Sequence, residues 1–404
     1  MTSIPIFEGP RRMRTEDIPG LRQIDRACFG AIADFGQSAD TGAGVQPQPG
    51  EAQDETYLIA CEGQPVSQIT IFHTPLHLFD AVTDAGSIGG VSTLPEFQGK
   101  GLATRLLDFC AHRLADDGAR LMIISGERGL YQRTGNVPMG RYARFTLTPG
   151  LLPSRARLAC AERQITLRKP TSADAATCAR LYQAEMAHFQ RPLSRFSTHF
   201  QAQKGPFFAD EWVINMAGKP AAYLLLNEPW EAMGRKAGIR EISEYAGSRA
   251  ALSAALAEIM ASHSIQQLHL PIPWQDTDFI QALRDFGLNP QPSSLRDHTW
   301  RLLNFPGLMR DLQPVTAARL EADLLERLAF EQSGPLLANI ANEPDRCAIT
   351  CDGDRLDLSV AEMTGLVLGE ANRLPNDFLA PGRLAEILPA LFPLPAFLPG
   401  LDYH

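Results

Sequence analysis

The feature that most limits what this chain can fold into is the run Val91-Ser92-Thr93-Leu94-Pro95-Glu96-Phe97-Gln98-Gly99-Lys100-Gly101-Leu102-Ala103. A strand-like segment, Ser87 to Leu94, leads into two closely spaced glycines. From Ala103 the apolar residues Leu106, Leu107, Cys110, Ala111 and Leu114 then recur at helical spacing until Gly118. Strand, glycine turn and amphipathic helix in direct succession expose consecutive backbone N–H groups at a helix start, which is a seat for phosphate. Glycine at 99 and 101 permits dihedrals that other residues avoid and lets a pyrophosphate approach the main chain, while small Ala103 leaves room for it. Two other phosphate loops fail on spacing. A Walker loop requires Ser or Thr where Gly101 follows Lys100, and the last glycine of a dinucleotide fingerprint counted from Gly99 would fall on Thr104. An ordinary tight strand-to-helix turn is the remaining alternative.

The surroundings suit an α+β domain. Asp17 to Gly30 predicts a helix with Leu21, Ile24 and Cys28 on one face, and residues 31 to 56 read as a long flexible loop. Tyr57 to Cys61 and Gln68 to Phe72 form a hairpin around Gly63-Gln64-Pro65; Leu121 to Ile124 is a buried strand, and Arg128 to Arg133 begins a short helix. A weak repeat starts at Ile165, because Arg168 precedes Asp174 as Arg11 precedes Asp17, with an apolar-periodic helix after each. The second copy continues through Trp212–Met216, Ala221–Asn227, Ile239–Tyr245 and a helix from Ser248 to Met260, and has no glycine loop. Thr148 to Ser154 reads as the linker. In the last hundred residues we expect helices around Ala317 to Gln332, a hairpin from Cys347 to Val360 turning at Asp352-Gly353-Asp354, and a helix near Ala361 to Leu368. The proline-rich tail interleaves Leu and Phe, so it is expected to dock in an extended form. The expected domains are 1–150, 155–297 and 298–404.

Charge narrows the partners. The 404 residues carry a net charge of −9, which weighs against nucleic acid, since phosphate binding needs concentrated basic surface. The 73 residues between Arg26 and Lys100 contain no Lys or Arg but nine carboxylates: Asp34, Asp40, Glu51, Asp54, Glu55, Glu62, Asp80, Asp84 and Glu96. Such a stretch either presents a negative field that favours cations or is a generally acidic surface without a partner. Seven scattered cysteines form no disulfide framework; Cys347 and Cys351 lack the second ligand pair of a metal site, so no metal is expected. His73 and His77 flank Pro75 and read as surface or loop residues. With no signal-peptide pattern at the N-terminus and no long apolar run, neither secretion nor a membrane is expected, and the cytoplasm is the expected location.

The run from Val91 to Ala103 resembles motif A of the GNAT superfamily of N-acetyltransferases, [RQ]xxGx[GA], over roughly residues 10 to 145. The duplicated start, the missing second loop and the distinct last segment resemble the Eis-like (enhanced intracellular survival) group. That resemblance implies an active N-terminal GNAT domain with a mixed, splayed sheet, a degenerate second GNAT-like domain and a C-terminal domain similar to sterol carrier proteins. It implies acetyl-CoA as co-substrate, its pantetheine arm beside Val91, Ser92 and Thr93. The pyrophosphate would sit on the amides of Gln98, Gly99, Lys100, Gly101, Leu102 and Ala103, with Thr104 bordering the same site.

Amine acetylation needs a neutral amine, donors for the developing oxyanion and an acid for the departing thiolate. Tyr131, in Gly129-Leu130-Tyr131-Gln132-Arg133-Thr134-Gly135, stands where Eis-like proteins resemble one another in carrying a catalytic tyrosine. A phenol of pKa about 10 can protonate a thiolate whose conjugate acid is near ~8.5. The alternative is a tyrosine that merely packs. Where the family often has an aromatic residue before the glycine, this chain has Thr134. The resemblance implies the chain's terminal carboxylate, that of His404, as the base; a frayed terminus is the alternative. It also implies a cationic amine acceptor, aminoglycoside-, polyamine- or lysine-like and small-molecule or peptide, and a homo-oligomer, possibly a hexamer. Competing functions are an apolar-ligand-binding module and an acetyl-CoA sensor without turnover.

Overall fold

Two seven-stranded sheets organise the computed structural model, which describes residues 5–30, 54–126, 128–138, 141–150, 154–201, 210–228, 238–262, 264–295, 298–334, 345–369 and 379–395. The first sheet begins with β1 (Phe7–Arg12), β2 (Glu55–Cys61), β3 (Gln64–His73), β4 (Ala85–Thr93), β5 (Leu121–Ser125) and β6 (Val137–Pro138). Next come β7 (Arg141–Leu147), β8 (Ile165–Arg168), β9 (Asp210–Met216), β10 (Lys219–Asn227), β11 (Ile239–Gly247), β12 (Gln267–Pro273), β13 (Gln291–Leu295) and β14 (His298–Leu302). The described residues fall into two compact units, one from within 1–139 and 297–394, the other mainly from within 140–296.

In the first unit the strand order is β1-β2-β3-β4-β5-β14-β6, with β4 and β5 parallel and every other neighbour antiparallel. The expected hairpin forms between β2 and β3, and its turn is Glu62-Gly63, both at positive φ (50° and 77°), which matches the twist of the flanking strands. Both strands run longer than the apolar pattern alone indicates, because backbone pairing continues through Glu55, Thr56 and Gln64. Helix α1 (Ile18–Phe29) buries Leu21 and Ile24. Helix α2 (Leu102–Asp116) buries Leu102, Leu106, Leu107, Cys110, Ala111 and Leu114, the stripe its spacing predicts. Helix α3 (Gly129–Arg133) follows β5. One core joins α1, α2 and α3 to the sheet through Ile24, Leu58, Ile69, Ile88, Leu106, Ile124 and Tyr131. The loop expected at 31–56 lies outside the described residues as far as 53.

In the second unit the order is β8-β9-β10-β11-β12-β7-β13, and β11 and β12 are again its parallel pair. Helix α4 (Ala175–Gln183) follows β8, and α5 (Arg249–Ser262) follows β11. The repeat extends to atoms. Arg11 makes two bonds of 2.7 Å to Asp17, and Arg168 makes bonds of 2.7 and 2.5 Å to Asp174; in each pair the carboxylate also accepts a backbone N–H three residues upstream, from Arg14 or Thr171.

The two sheets differ from the expected boundaries at one place each. Residues 141–147, read from sequence as the end of the first domain, pair with β12 and β13. Conversely β14, read as the start of the last domain, lies between β5 and β6 with all five of its residues buried, Trp300 among them. The sixth place in each sheet is therefore filled by a strand from the other half of the sequence. Sequence patterning cannot reveal this, because an apolar strand reads alike whichever sheet receives it.

The remainder of the first unit departs from expectation more. The helices expected around Ala317 to Gln332 form only in part, and the end of that stretch is a strand. Short helices occupy Phe305–Asp311, Gln313–Ala317 and Ala322–Leu325, and then β15 (Ala329–Ser333) pairs with β16 (Arg346–Cys351). The apolar residues there serve both periods, and the open edge of the hairpin decides. That hairpin, β16 with β17 (Asp354–Ser359), turns at Asp352-Gly353 as read. Helix α6 (Val360–Leu368) begins with Ser359 and Glu362 capping each other and ends at Gly369 in a left-handed conformation. The tail, expected to be extended, contains helix α7 (Leu384–Leu391), which buries Leu384, Ile387, Leu388 and Leu391 on one face despite Pro389. No helix among the described residues is long and apolar enough to cross a membrane. No group of three or more His, Cys, Asp or Glu among them is placed to hold a metal, and all seven cysteines are free.

Candidate active site

Strands β4 and β5 are paired only from Ala85–Leu121 to Ile88–Ile124, yet β4 continues to Thr93. Past Ile88 the strands part, so the β5-facing side of β4 has no ladder partner there. The cause is visible in β4's other neighbour. Opposite Ile69 of β3 stand two residues, Gly90 and Val91, because Thr70 pairs with Gly89 and Gln68 with Ser92. Gly90 adopts φ +62°, the left-handed conformation of a glycine bulge, which bends the strand and increases its twist. Side chains then fix the far end of β4. The Thr93 carbonyl accepts the Gln98 amide at 3.0 Å and the Cys28 thiol at 3.4 Å, while Ser67 Oγ donates to the Ser92 carbonyl at 3.2 Å and lies 2.7 Å from Thr93 Oγ1. Cys28, read as part of α1's apolar face, is exposed; partial desolvation of its thiol, with the nearby Asp25 and Glu96 carboxylates, raises its pKa.

After β4 the chain makes one 3₁₀ turn, Pro95–Phe97, and then the glycine loop. Gly99 and Gly101 hold φ of +74° and +75°, and a Cβ at either would meet no atom within 4 Å. Their glycines therefore serve the backbone conformation and leave space open in front of it. Gly101 is the residue before α2 and no side chain caps it, so the first amides of α2, from Leu102, Ala103 and Thr104, have no side-chain cap. The Lys100 ammonium is turned to the 3₁₀ turn: Nζ donates to the Glu96 carbonyl at 2.9 Å and lies 4.6 Å from the Phe97 ring centroid. The positive end of the loop therefore comes chiefly from backbone N–H groups.

Because β4 and β5 are parallel, their C-terminal ends leave the sheet at one edge, where open α/β sheets bind ligands. The glycine loop leaves from β4 and Tyr131 follows β5 there. The Tyr131 ring is buried, close to Gly126 (φ +113°), and shares its core with Val91, Leu94 and Leu102. No described residue bonds its hydroxyl. Burial raises the phenol above its ordinary pKa of 10, against the opposing pull of Arg128. The group is an acid at neutral pH. The structure thus brings Val91, Ser92, Thr93, the loop 98–104 and Tyr131 to one edge of one sheet.

Other expectations are met less fully. His404, Asp34, Asp40 and Glu51 lie outside the described residues. Glu55 adds little to an open negative field: it pairs with Arg12 at 3.2 Å and Arg113 at 3.7 Å and accepts the Tyr57 hydroxyl at 2.6 Å, which with burial pushes that phenol up to about 12. Two groups were missed. Asp25 of α1 accepts the Gln68 amide of β3, and Arg301 of β14 reaches the turn after Tyr131. Both join residues far apart in sequence, and neither position carries a local pattern.

Residues 10–137 match the family model described as the acetyltransferase (GNAT) domain. The chain carries a GNAT acetyltransferase domain. Such domains draw their acyl group from acetyl-CoA. The match ends at β6, so β14, which completes the GNAT sheet here, comes from outside it. Solved structures agree on the fold. The chain is similar to a GCN5-related N-acetyltransferase from Kribbella flavida (TM-score 0.65, 15% identity, covering 98% of this chain and 97% of that one). It is similar also to a GCN5-related N-acetyltransferase from Anabaena variabilis (0.63, 14%, 98% and 99%) and to Eis1 from Mycobacterium abscessus (0.58, 16%, 97% of each). No curated protein matches the sequence.

Proposed function

We propose that this protein is an acetyl-CoA-dependent N-acetyltransferase that acetylates a cationic amine, aminoglycoside-, polyamine- or lysine-like, by direct transfer in a ternary complex. The observation that carries the reading is the convergence, at one edge of the GNAT sheet, of three things. They are the parted strands β4 and β5, an uncapped helix start behind two left-handed glycines, and a buried, protonated phenol whose hydroxyl has no partner among the described residues. In this reading the pantetheine arm lies along Val91 to Thr93 and the pyrophosphate on the amides of Gln98 to Thr104. The neutral amine attacks the thioester carbonyl, the C–S bond breaks, and Tyr131 delivers its proton to the thiolate of the departing CoA. The ammonium proton left on the product nitrogen goes to a base, for which the carboxylate of His404 is the proposed group.

The second unit is read as a degenerate GNAT-like domain and the segment after β14 as a sterol-carrier-protein-like domain; a cytoplasmic homo-oligomer, possibly a hexamer, is proposed. The test is release of free CoA with a panel of cationic, neutral and anionic amines. Turnover confined to cationic amines and slowed by Tyr131→Phe supports the reading. Acetyl-CoA binding without CoA release from any amine would leave a sensor in its place, and full activity after trimming the last residues would remove His404 from the mechanism.

A further inference from the structure

Tyr131 sits on a helix of five residues, too short to hold its own geometry in water. What holds it is a clamp on the carbonyls at its C-terminal end. The Tyr131 carbonyl accepts Thr134 Oγ1 at 2.8 Å, Asn136 Nδ2 at 3.2 Å and the Asn136 backbone N–H at 3.1 Å; Asn136 Nδ2 also donates to Thr134 Oγ1 at 2.9 Å. Thr134 is thus the residue that closes this helix. Three residues on, the Thr134 carbonyl accepts Arg301 Nη1, and Arg301 Nη2 is bonded to Asp345.

Arg301 and Asp345 are 2% and 8% exposed. A buried ion pair is a weak source of stability beside an apolar pair of equal volume, because both ions lose their water. What it supplies is direction: a planar fork anchored on one side points its other N–H groups at a fixed place. The turn is shaped for that fork. Gly135 has φ +80°, and a Cβ there would stand 2.0 Å from Arg301 Nη1 and 3.1 Å from its Cζ. Glycine is required at 135 both by the backbone and by the guanidinium beside it.

We propose that Arg301, braced by Asp345, is a positioning residue that fixes the turn Thr134-Gly135 and through it the direction of the Tyr131 phenol. The inference rests on the reading of Tyr131 as the acid. Arg301 acts by geometry, since the cation that biases the phenol's charge is Arg128.

A kinetic cycle on the full chain tests it, using Tyr131→Phe, Arg301→Lys and the double variant. Lysine keeps the charge and loses the fork. Arg301→Lys should lower kcat about ten- to a hundredfold, the scale of a small misplacement of a catalytic group, and leave KM for acetyl-CoA and the alkaline limb of the pH profile where they were. In the Tyr131→Phe background the same change should cost nothing further, because there is no acid left to aim. Asp345→Asn keeps the volume and removes the charge that braces the fork; it should show the same pattern, and it carries the test if Arg301→Lys does not fold. Losses that multiply in the double variant, or an unchanged kcat in Arg301→Lys, overturn the positioning role. Full activity of Tyr131→Phe overturns the acid assignment itself and the proposal with it.

Discussion

The glycine loop allows stability and ligand binding to be separated. In Gly101→Ala the added methyl meets no protein atom within 4 Å, so no steric contact inside the protein contributes. What remains is the backbone: a non-glycine residue at φ +75° costs about 1–2 kcal/mol. If a pyrophosphate sits against this loop, the methyl occupies its place and at least one charge-assisted N–H bond is lost, worth about 1.5–3 kcal/mol. That is a roughly 10- to 150-fold rise in Kd for CoA. Calorimetric titration with CoA and with acetylpantetheine, which lacks the phosphates, separates the terms. Affinity for CoA should fall by that factor and affinity for acetylpantetheine should hold. Gly101→Asn supplies the control, since asparagine tolerates the left-handed region: stability should largely return while the CoA loss persists. Unchanged CoA affinity in a destabilised Gly101→Ala, or equal losses for both ligands, would refute the phosphate reading.

Other consequences follow from packing and charge. A chain cut after residue 150 loses β14 from the first sheet and leaves β7 without β12 and β13, so it should lack cooperative unfolding by circular dichroism; a folded, CoA-binding fragment would contradict the strand assignment. In Gly86→Ala the new methyl would lie 2.2 Å from Leu114 Cδ2, an overpacking cost of about 1–3 kcal/mol that should appear as a lower urea midpoint without change in KM. The hydrogen bond from Arg168 holds the Asp174 carboxyl down at about 2, and Arg11 likewise lowers Asp17. Their contribution to stability is therefore complete above the unfolded carboxyl value near ~4 and is lost as pH falls through the folded values; Asp174→Asn should flatten the acid limb of a stability–pH curve.

What was legible in the sequence was whatever is decided locally. The α2 stripe, the Asp352-Gly353 turn and the glycine loop each follow from residues within a few positions of one another, whereas the first hairpin turns at Glu62-Gly63, one residue before the Gly63-Gln64-Pro65 read for it. The paired spacing of Arg11–Asp17 and Arg168–Asp174 disclosed the repeat because the ion pair itself is local. The β4 bulge was not legible: Ser87 to Leu94 reads as one plain strand, and the bulge at Gly90 exists only against Ile69 of the partner strand. Membership of β7 and β14 in their sheets, and the reach of Arg301 to Thr134, depend on pairings more than a hundred residues apart, which no periodicity encodes.

The two parallel pairs differ in whether the helix start that follows them is left open. In the second unit β11 and β12 also part, after Glu241–His269, and a cavity of about 560 Å³ opens beside Tyr245, Gly247, Pro273 and Gln275. There the resemblance ends. Eight residues separate β4 from α2, whereas Ser248 alone separates β11 from α5. The first residue of α5 is Arg249, whose guanidinium bonds Glu185 at 2.8 and 2.5 Å and Asp276 at 3.2 and 2.9 Å, while Tyr245 donates to Asp276 at 2.7 Å. One cation thus serves two largely buried carboxylates at the helix start where the first unit leaves amides open. Removing it as Arg249→Gln should not uncover a CoA site. It should leave two anions unpaired and destabilise the protein by about 3 kcal/mol. Urea melts of both proteins at neutral pH measure this. Equal stability at neutral pH, or a second equivalent of bound CoA, would show that Arg249 is not what closes the second unit to phosphate.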